Sequence, residues 1–549
     1  MYEIDTKDSS ESDKRLALEL VKRYDSMENQ RVNWTQHWQE LAYYVMPRKD
    51  DIYKSKTAGE KKGLYLYDST AHHAAVLLAS ALHSMLTNPV SNWFNLCTGD
   101  RTIDELEEVI QWYYDTENTI HQVLLNSNFH SEIHEAYLDI VTFGTGPMLI
   151  EKDEDFYVRF QARPIYECYL DENNKGRIDT LFRKFEWTLR QIVQQWGIER
   201  LPEDLQRKYK EDSNCKHMIL QAIYPREDYD RTKIDGKNKK FASVYVLCET
   251  KTVLSEHGFD QFPYITPRWS KLTREIYGRS PAMGALPDIK LLNEVKKVTI
   301  KAAQKTVDPP VQVPDDGMVL PVKLTPGSTN YYRAGTTDRI ELMNFSGRVD
   351  IGRETINDLR NAIREGFFID QLQLSQGPQM TATEVIQRTE EKLRILGPVL
   401  GRMTSELLQP LLDKVFTILL EAKRIKPIPQ ALSGKNLEVR FSSAIAKAQK
   451  TTKIDNLTRV LSLVAPIAQM DQQALDKINA DETIDFIYNI FELSPSLTRK
   501  DADVKKIRSS RAQAQQQAAQ DAQNAQNAQN LGAMAPALKQ IPNEGVSGV

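Results

Sequence analysis

The sequence is poor in the features that mark an enzyme, a metalloprotein or a membrane protein. It has four cysteines, Cys97, Cys168, Cys215 and Cys248, too far apart for a zinc finger or a disulfide framework. That usage suits a reducing cytoplasm. The polar start MYEIDTKDSSESDKR has no apolar core, which argues against a signal peptide. The longest apolar run, AAVLLASALHSML at 74–86, is too short to span a bilayer and carries His83. No phosphate loop is present: Ser433-Gly434-Lys435-Asn436 lacks the upstream glycine and the hydroxyl after lysine. No GxGxxG follows a strand. Neither charge sign dominates: the net charge is -4 over 549 residues, so there is no global basic footprint for tight nucleic-acid binding. No nucleophile has a base at a telling spacing. His130 and His134 sit at i, i+4, but Glu132 is one place off the zinc-protease pattern, and an ordinary amphipathic helix is the better reading. His72-His73 reads as structural. The acidic groups at Glu105-Glu107-Glu108 and Asp153-Glu154-Asp155 read as solvated faces or turns. No cofactor or metal is called for.

What is present is length and periodicity. A chain of this size with 41% hydrophobic residues holds several domain-sized units and sizeable cores. Leu16, Leu20, Val21 and Tyr24, then Trp34, Trp38, Leu41 and Val45, predict helix over 13–46, and residues 48–63 read as a basic, polar loop. An alanine-rich helix over 68–86 and amphipathic helices over 103–142 follow, stopping at Gly144-Thr145-Gly146-Pro147. Alternating runs such as FYVRFQ and SVYVLCE within 147–187 and 241–268 predict strands, with a return to helix over 187–196.

The middle is unusual. A helix over 287–306, opened by Pro287 and Asp288, carries Leu292, Val295, Thr299, Ala302 and Thr306 on one stripe. Lys290, Glu294, Lys297, Lys301 and Lys305 form another. Five prolines in 309–326 follow, which confine any strands there to edges or bulges, with Asp316-Gly317 as a hairpin turn. A second helix, about 347–365, has Val349, Gly352, Ile356, Leu359 and Ile363 on its apolar-to-small stripe. Its charged face holds Arg353, Glu354, Asp358, Arg360, Arg364 and Glu365. Each helix is roughly 30 Å long. Equal rods around a proline-rich knob predict an antiparallel pair with the knob at the far end, and narrow stripes suit packing against a neighbouring copy.

Next, QLQLSQGPQM lies before a helix start. Gly366 is placed to end the upstream helix, and Gly377-Pro378 stops it running through. Thr381 and Glu384 form a capping box, with Met380 and Val385 as its staple. Residues 367–380 therefore read as a neutral loop, longer than ordinary connections. A helix over 382–396 is expected to break at Gly397-Pro398 and continue through Leu400, Met403, Leu407, Leu411, Val415 and Ile418, kinked at Pro410. A short strand at 437–442 and helices over 451–500 follow. RAQAQQQAAQDAQNAQNAQN at 511–530 is low-complexity, either a solvated helix or disordered.

These residues resemble the portal, or head-to-tail connector, proteins of short-tailed bacteriophages, over nearly the whole chain to about residue 500. The likeness rests on RVNWTQHWQELAYYVMP at 31–47, FGTGPMLI at 143–150 and RPIYECYLDENNKGRIDTLFRKFEWT at 163–188. It continues in YGRSPAMGALPDIKLLNEV at 277–295, VDPP at 307–310, MTATEV at 380–385 and SSAIAKAQ at 442–449, the last departing from the commoner SPLARAQ-like form. The resemblance implies a mainly helical α+β subunit, not an enzyme, that assembles into a ring around a DNA channel, usually a dodecamer. It implies a wing at 1–277 with a β subdomain at about 147–268, stem helices at 278–306 and 346–366, and a clip at 307–345. A tunnel loop at 367–380, a long kinked helix at 381–424, a crown at 425–504 and a low-complexity tail at 505–549 complete it. Val311, Val313, Asp315, Asp316, Met318 and Val319 would then lie in the clip that meets the terminase large subunit and later the tail adaptor. The clip strands are expected to pair with those of adjacent subunits. The other implied partners are double-stranded DNA without sequence preference, major capsid and scaffolding proteins, and internal core proteins, with no membrane. The product is a virion component at one capsid vertex, assembled in the host cytoplasm, serving packaging, retention and ejection of the genome. Gln371, Gln373, Gln376 and Gln379 would form a neutral collar. Two placements stay open for Lys290, Lys297, Lys301 and Lys305: the channel wall, or ion pairs with a neighbour's Glu354, Asp358 or Glu365. Rival readings are a metal-dependent DNA-processing enzyme and a helical scaffold that never touches DNA.

Overall fold

The computed structural model describes residues 6–52, 59–104, 106–230, 232–233, 235–312, 327–329, 331, 335, 341–342, 349–372, 396–435, 437–441, 457–464, 466, 479, 481–484, 487 and 501–538. The fold is α+β and mainly helical. The chain divides into two units, 1–448 and 449–549.

The first unit opens with α1, Thr6–Tyr44, one continuous helix. Its two apolar stretches serve two cores. Ala17, Leu20, Tyr24 and Met27 lie on one face of a five-stranded sheet, against Tyr169, Phe182, Leu220, Ala222 and Val244. Trp38, Leu41, Ala42 and Val45 enter the main core. Between them, buried Arg31 donates to the carbonyls of Ile165, Tyr166 and Cys168 and stacks over Tyr169. That arrangement satisfies a buried charge while fixing the helix to the sheet.

The main core gathers α2 (Thr70–Leu86), β1 (Phe94–Cys97), α3 (Arg101–Asp104), α4 (Glu107–Asn126) and α5 (Phe129–Phe143). Strands β2 (Met148–Asp153) and β3 (Tyr157–Ala162) form an antiparallel ladder, completed later by β9 (Tyr264–Ile265). The larger sheet runs β4 (Cys168–Glu172), β5 (Ile178–Thr188), β6 (Lys216–Pro225), β7 (Phe241–Leu247) and β8 (Thr252–Phe259), all antiparallel neighbours. Helices α6 (Leu189–Trp196) and α7 (Glu203–Glu211) cover its other face, with Leu189, Ile192 and Leu205 against Ile219 and Leu254.

Two details differ from the sequence reading. The central strand β6 was not expected, because HMILQAIY is mostly apolar without alternation, as suits a strand covered on both faces, with His217 and Gln221 buried in it. The helix expected from Trp187 starts at Leu189, where Thr188 and Gln191 form a capping box, and Trp187 remains in β5. All four cysteines are unpaired thiols.

After α8, α9 and α10, described below, residues 396–403 form helix α11. Gly397-Pro398 lies near the start of this described segment, and the helix expected before it, 382–395, lies outside the described residues. A π-helical turn, Thr404–Leu408, leads into α12, Gln409–Glu421. The helix continues through Pro410, and the π-helical turn just before it accommodates the missing N–H. Strand β12, Glu438–Phe441, pairs with β1.

In the second unit, residues 457–464 and 481–484 are helical, and a helix spans Asp501–Leu538. Its Arg508 pairs with Asp481 at 2.7 Å. The Gln/Ala-rich stretch is therefore helical, and residues 508–526 are exposed.

Candidate functional site

Helices α8, Pro281–Val307, and α9, Val349–Gly366, form a pair. A Cβ added at Gly352 would lie 2.7 Å from Thr299 Oγ1, and one at Gly366 would lie 3.4 Å from Ala285 Cβ. Gly352 beside Thr299 and Gly366 beside Ala285 make the pair antiparallel. Small residues let the backbones approach at both points. Ile289, Leu292, Ile356 and Ile363 are buried, with Val295 and Leu359 packed against the core. The predicted stripes therefore pack on each other within one chain, which corrects the expectation that they await a neighbour.

The start of α8 was misplaced. Ser280 caps it, accepting from the Met283 N–H at 3.1 Å, and Pro281 takes the first turn. Pro287 sits inside the helix instead of opening it. Ser280-Pro281 was itself a start signal in the sequence. The Ser280 hydroxyl also donates to the Thr142 carbonyl at 2.8 Å.

This cap lies where two of the quoted motifs cross. In FGTGPMLI, Gly144 has φ +84°, and a side chain there would collide with the Gly278 carbonyl of YGRSPAMG. A side chain at Gly278 would collide with the Gly144 carbonyl in turn. The Gly278 N–H donates to Thr145 Oγ1 at 2.9 Å, and Trp269 N–H donates to the Gly144 carbonyl at 2.9 Å. Beside it, buried Arg268 joins Glu406 of the π-turn (2.9 Å), Glu172 of β4 (3.2 Å) and two backbone carbonyls.

A second anchor was missed entirely. Asp68, just before α2, is buried, and its Oδ2 accepts from Lys296 of α8 at 2.9 Å and Arg360 of α9 at 2.8 Å. Its Oδ1 accepts from Thr70 N–H at 2.8 Å. Burial alone would raise this carboxyl, but the bonds from Thr70, Lys296 and Arg360 outweigh it and hold the group well below the usual range. One carboxylate therefore ties both helices to the main core. Asn293 adds a splice: its side chain accepts from Tyr67 N–H at 2.7 Å and donates to the Tyr65 carbonyl at 2.9 Å.

The remaining predicted residues fall as follows. Lys290 pairs with Glu40 of α1 at 2.7 Å, and Lys297 with Glu294 of its own helix at 3.2 Å. Lys301, Lys305, Glu354, Asp358, Arg364 and Glu365 are exposed. Gly366 ends α9, but the left-handed residue after it is Phe368, with φ 60°. The predicted loop then starts as a short helix, α10, Ile369–Leu372, which contains Gln371. Gln373, Gln376, Gln379 and the capping box at Thr381 and Glu384 lie outside the described residues. So do Val313, Asp315, Asp316, Met318 and Val319. Val311 lies in β10, Val311–Gln312, which pairs with β11, Glu341–Leu342, of the same chain. This short ladder lies within one chain, at the end of the rods remote from Gly366. No helix of the described residues is long and apolar enough to cross a membrane, and none of their acidic, histidine or cysteine groups could hold a metal ion.

A family model described as bacteriophage head to tail connecting protein matches residues 17–498. The chain is 32% identical over 506 residues to a probable portal protein of Bordetella phage BPP-1, covering 90% of this chain and 91% of the relative. It is 30% identical over 509 residues to the portal protein of Salmonella phage epsilon15, with the same coverage. To the portal protein of Enterobacteria phage T3 it is 18% identical over 459 residues, covering 81% of this chain and 82% of that one.

Proposed function

This chain belongs to the family of bacteriophage head-to-tail connecting proteins and has the role of a phage portal, and we propose that its copies close into a ring whose α8–α9 rods wall a DNA channel. The family is structural rather than enzymatic; its members self-assemble and join head to tail as part of the virion. The finer reading divides the chain as a wing to residue 277, stem helices, a clip at 307–345, a tunnel loop at 367–380, a kinked helix at 381–424 and a crown at 425–504. The ring is a dodecamer at one capsid vertex, assembled in the host cytoplasm. Its clip meets the terminase large subunit during packaging and the tail adaptor afterwards. Capsid, scaffolding and internal core proteins surround it.

One observation carries this reading. An antiparallel rod pair is held at one end by Asp68, Asn293 and the Gly144–Gly278 crossing, and ends at the other in a small strand pair. That is a spoke fixed to a massive body, suited to standing beside its copies around an axis.

A conduit must touch DNA without gripping it. Every phosphate neutralised by a cation adds counterion-release affinity, so a basic wall would stall the duplex. The rods avoid that: Lys290, Lys296 and Lys297 are each neutralised within the chain. Gln371, Gln373, Gln376 and Gln379 then form a sequence-blind collar. Neutral hydrogen bonds are worth about 0.5–1.5 kcal/mol each, against about 1.5–3 for bonds to charged groups, so such contacts exchange readily. Replacing all four glutamines with lysine should slow DNA passage and increase retention in a packaging and ejection assay. Unchanged packaging and ejection would contradict the collar.

A further inference from the structure

The rods leave two faces uncovered. On α8, Leu291, Glu294, Val298, Lys301 and Lys305 follow each other at steps of three and four, and all are exposed. Leu291 is 51% exposed and Val298 56%. On α9, Ile351, Glu354, Asp358, Asn361 and Glu365 repeat the same spacing, again all exposed, Ile351 to 48%. Steps of three and four mark the seam of helices packed side by side. The contact between α8 and α9 uses neither face, since Thr299 and Ala285 meet Gly352 and Gly366 there.

The two faces are complementary in charge. The α8 face is aliphatic and basic, its single acid already paired with Lys297. The α9 face carries three acids and one aliphatic residue. Two α9 faces brought together would set carboxylates against carboxylates, so a twofold contact is disfavoured. Each face instead fits the other one, on a different copy. A contact between unlike faces, repeated by rotation, closes into a ring.

We propose that the Leu291–Lys305 face of α8 in one copy packs against the Ile351–Glu365 face of α9 in the next. This rests on the ring reading above and adds which faces meet, and at what height. Rotation about an axis carries no shift along it. For rods that run along the ring axis, the register set by Thr299 and Gly352 holds between copies too. Ile351 of one copy then comes level with Ile300 of the next and Glu354 with Lys297, while Val298 lies two residues from the level of Ile351 and Lys301 one turn from that of Glu354. A single exposed ion pair is weak. This one recurs at every contact of the ring, and the aliphatic residues beside it leave water together.

The test uses the full chain with Lys301→Glu, with Glu354→Lys, with both, and with the two single variants mixed in equal amounts. Annular particles are counted by negative-stain imaging and mass photometry, and melting curves are recorded alongside. Both sites are exposed, so the melts should be unchanged. Each single variant should lose at least tenfold of its annular particles. The double variant should recover them, and so should the mixture, because unlike faces pair correctly when the two variants alternate. Single variants that assemble as the unaltered chain does overturn the assignment, as do a double variant and a mixture that both stay unassembled. Single variants that keep their rings but lose binding to capsid protein assign the face to that partner instead and overturn it as well. If the unaltered chain forms no annuli, the ring reading itself fails, which separates the two outcomes.

Discussion

The wing and the rod pair solve the burial problem in opposite ways. In the wing, Trp38, Phe94, Phe129, Tyr137, Phe143 and Phe160 are fully buried by elements of the same chain. Every strand of its large sheet is paired, and α1 and α6 cover both faces. The rods share one narrow seam and leave Leu291, Val298 and Ile351 in solvent. The wing builds its cores from one copy, although Leu64, Tyr65, Val90 and Phe156 stay exposed on its surface. The rods, fixed to the wing at a few points, keep aliphatic side chains exposed that the proposed packing between copies would cover. Stability is thus concentrated in one region and assembly in the other.

The largest effect should come from breaking the joint between them. Gly144→Val drives a branched side chain into the Gly278 carbonyl at a left-handed backbone position. We expect no soluble folded protein, read by expression and circular dichroism; a folded variant would mean that the crossing is slack.

Next comes Asp68→Ala, which strands two cations at a half-buried site. Removing one partner from a buried pair costs about 3–5 kcal/mol. The loss should appear as proteolytic cleavage within 281–307 and 349–366 while the wing stays resistant. Uniform cleavage along the chain would show that Asp68 serves overall stability and does not hold the rods in particular.

Between pH 6.5 and 4 acid should act on the wing, before the Asp68 anchor of the rods is reached. His83, His130, His134 and His121 gather where α2, α4 and α5 meet, with His83 Nε2 3.2 Å from His130 Nδ1. Burial, then the neighbouring His130 and His134, lower His83 to about 4. A group depressed in the folded state contributes stability that is whole above its ordinary value near 6.5 and is lost as pH falls toward 4. Partial solvation limits the loss to about 1–2 kcal/mol. His83→Leu should flatten the fall of melting temperature between pH 6.5 and 4; an unchanged slope would place the acid sensitivity elsewhere.

The smallest effect should come from the seam. Gly352→Ala gains helix propensity of about 1 kcal/mol but presses on Thr299. The net loss should be about 1 kcal/mol, relieved by Thr299→Ala, which removes both close atoms, in a double-mutant cycle read by chemical denaturation. Additive effects would mean that the helices do not meet there.

The same division governs what could be read from the sequence. Local periodicity was enough for α1, for both rods and for their antiparallel pairing, because each is written in neighbouring residues. The anchors were not legible. Asp68 finds Lys296 228 residues away and Arg360 292 residues away, and no local pattern announces such a contact. FGTGPMLI and YGRSPAMG were singled out separately, yet nothing in either says that its glycine makes room for the other. Strand β6 is hidden in the sequence by its cover on both faces, and the start of α8 at Ser280-Pro281 is masked by Pro287, which is itself a helix-opening signal. Among the predicted site residues, Lys290 and Lys297 find partners within the chain, Glu40 and Glu294, which neither expected placement named.

The most direct test of the account is the state of the purified chain at high concentration, imaged by negative stain. A uniform population of annular particles, with the rods protected from proteolysis only within them, is the predicted result. Chains that remain monomeric under every assembly condition, with no annulus in any field, would contradict it.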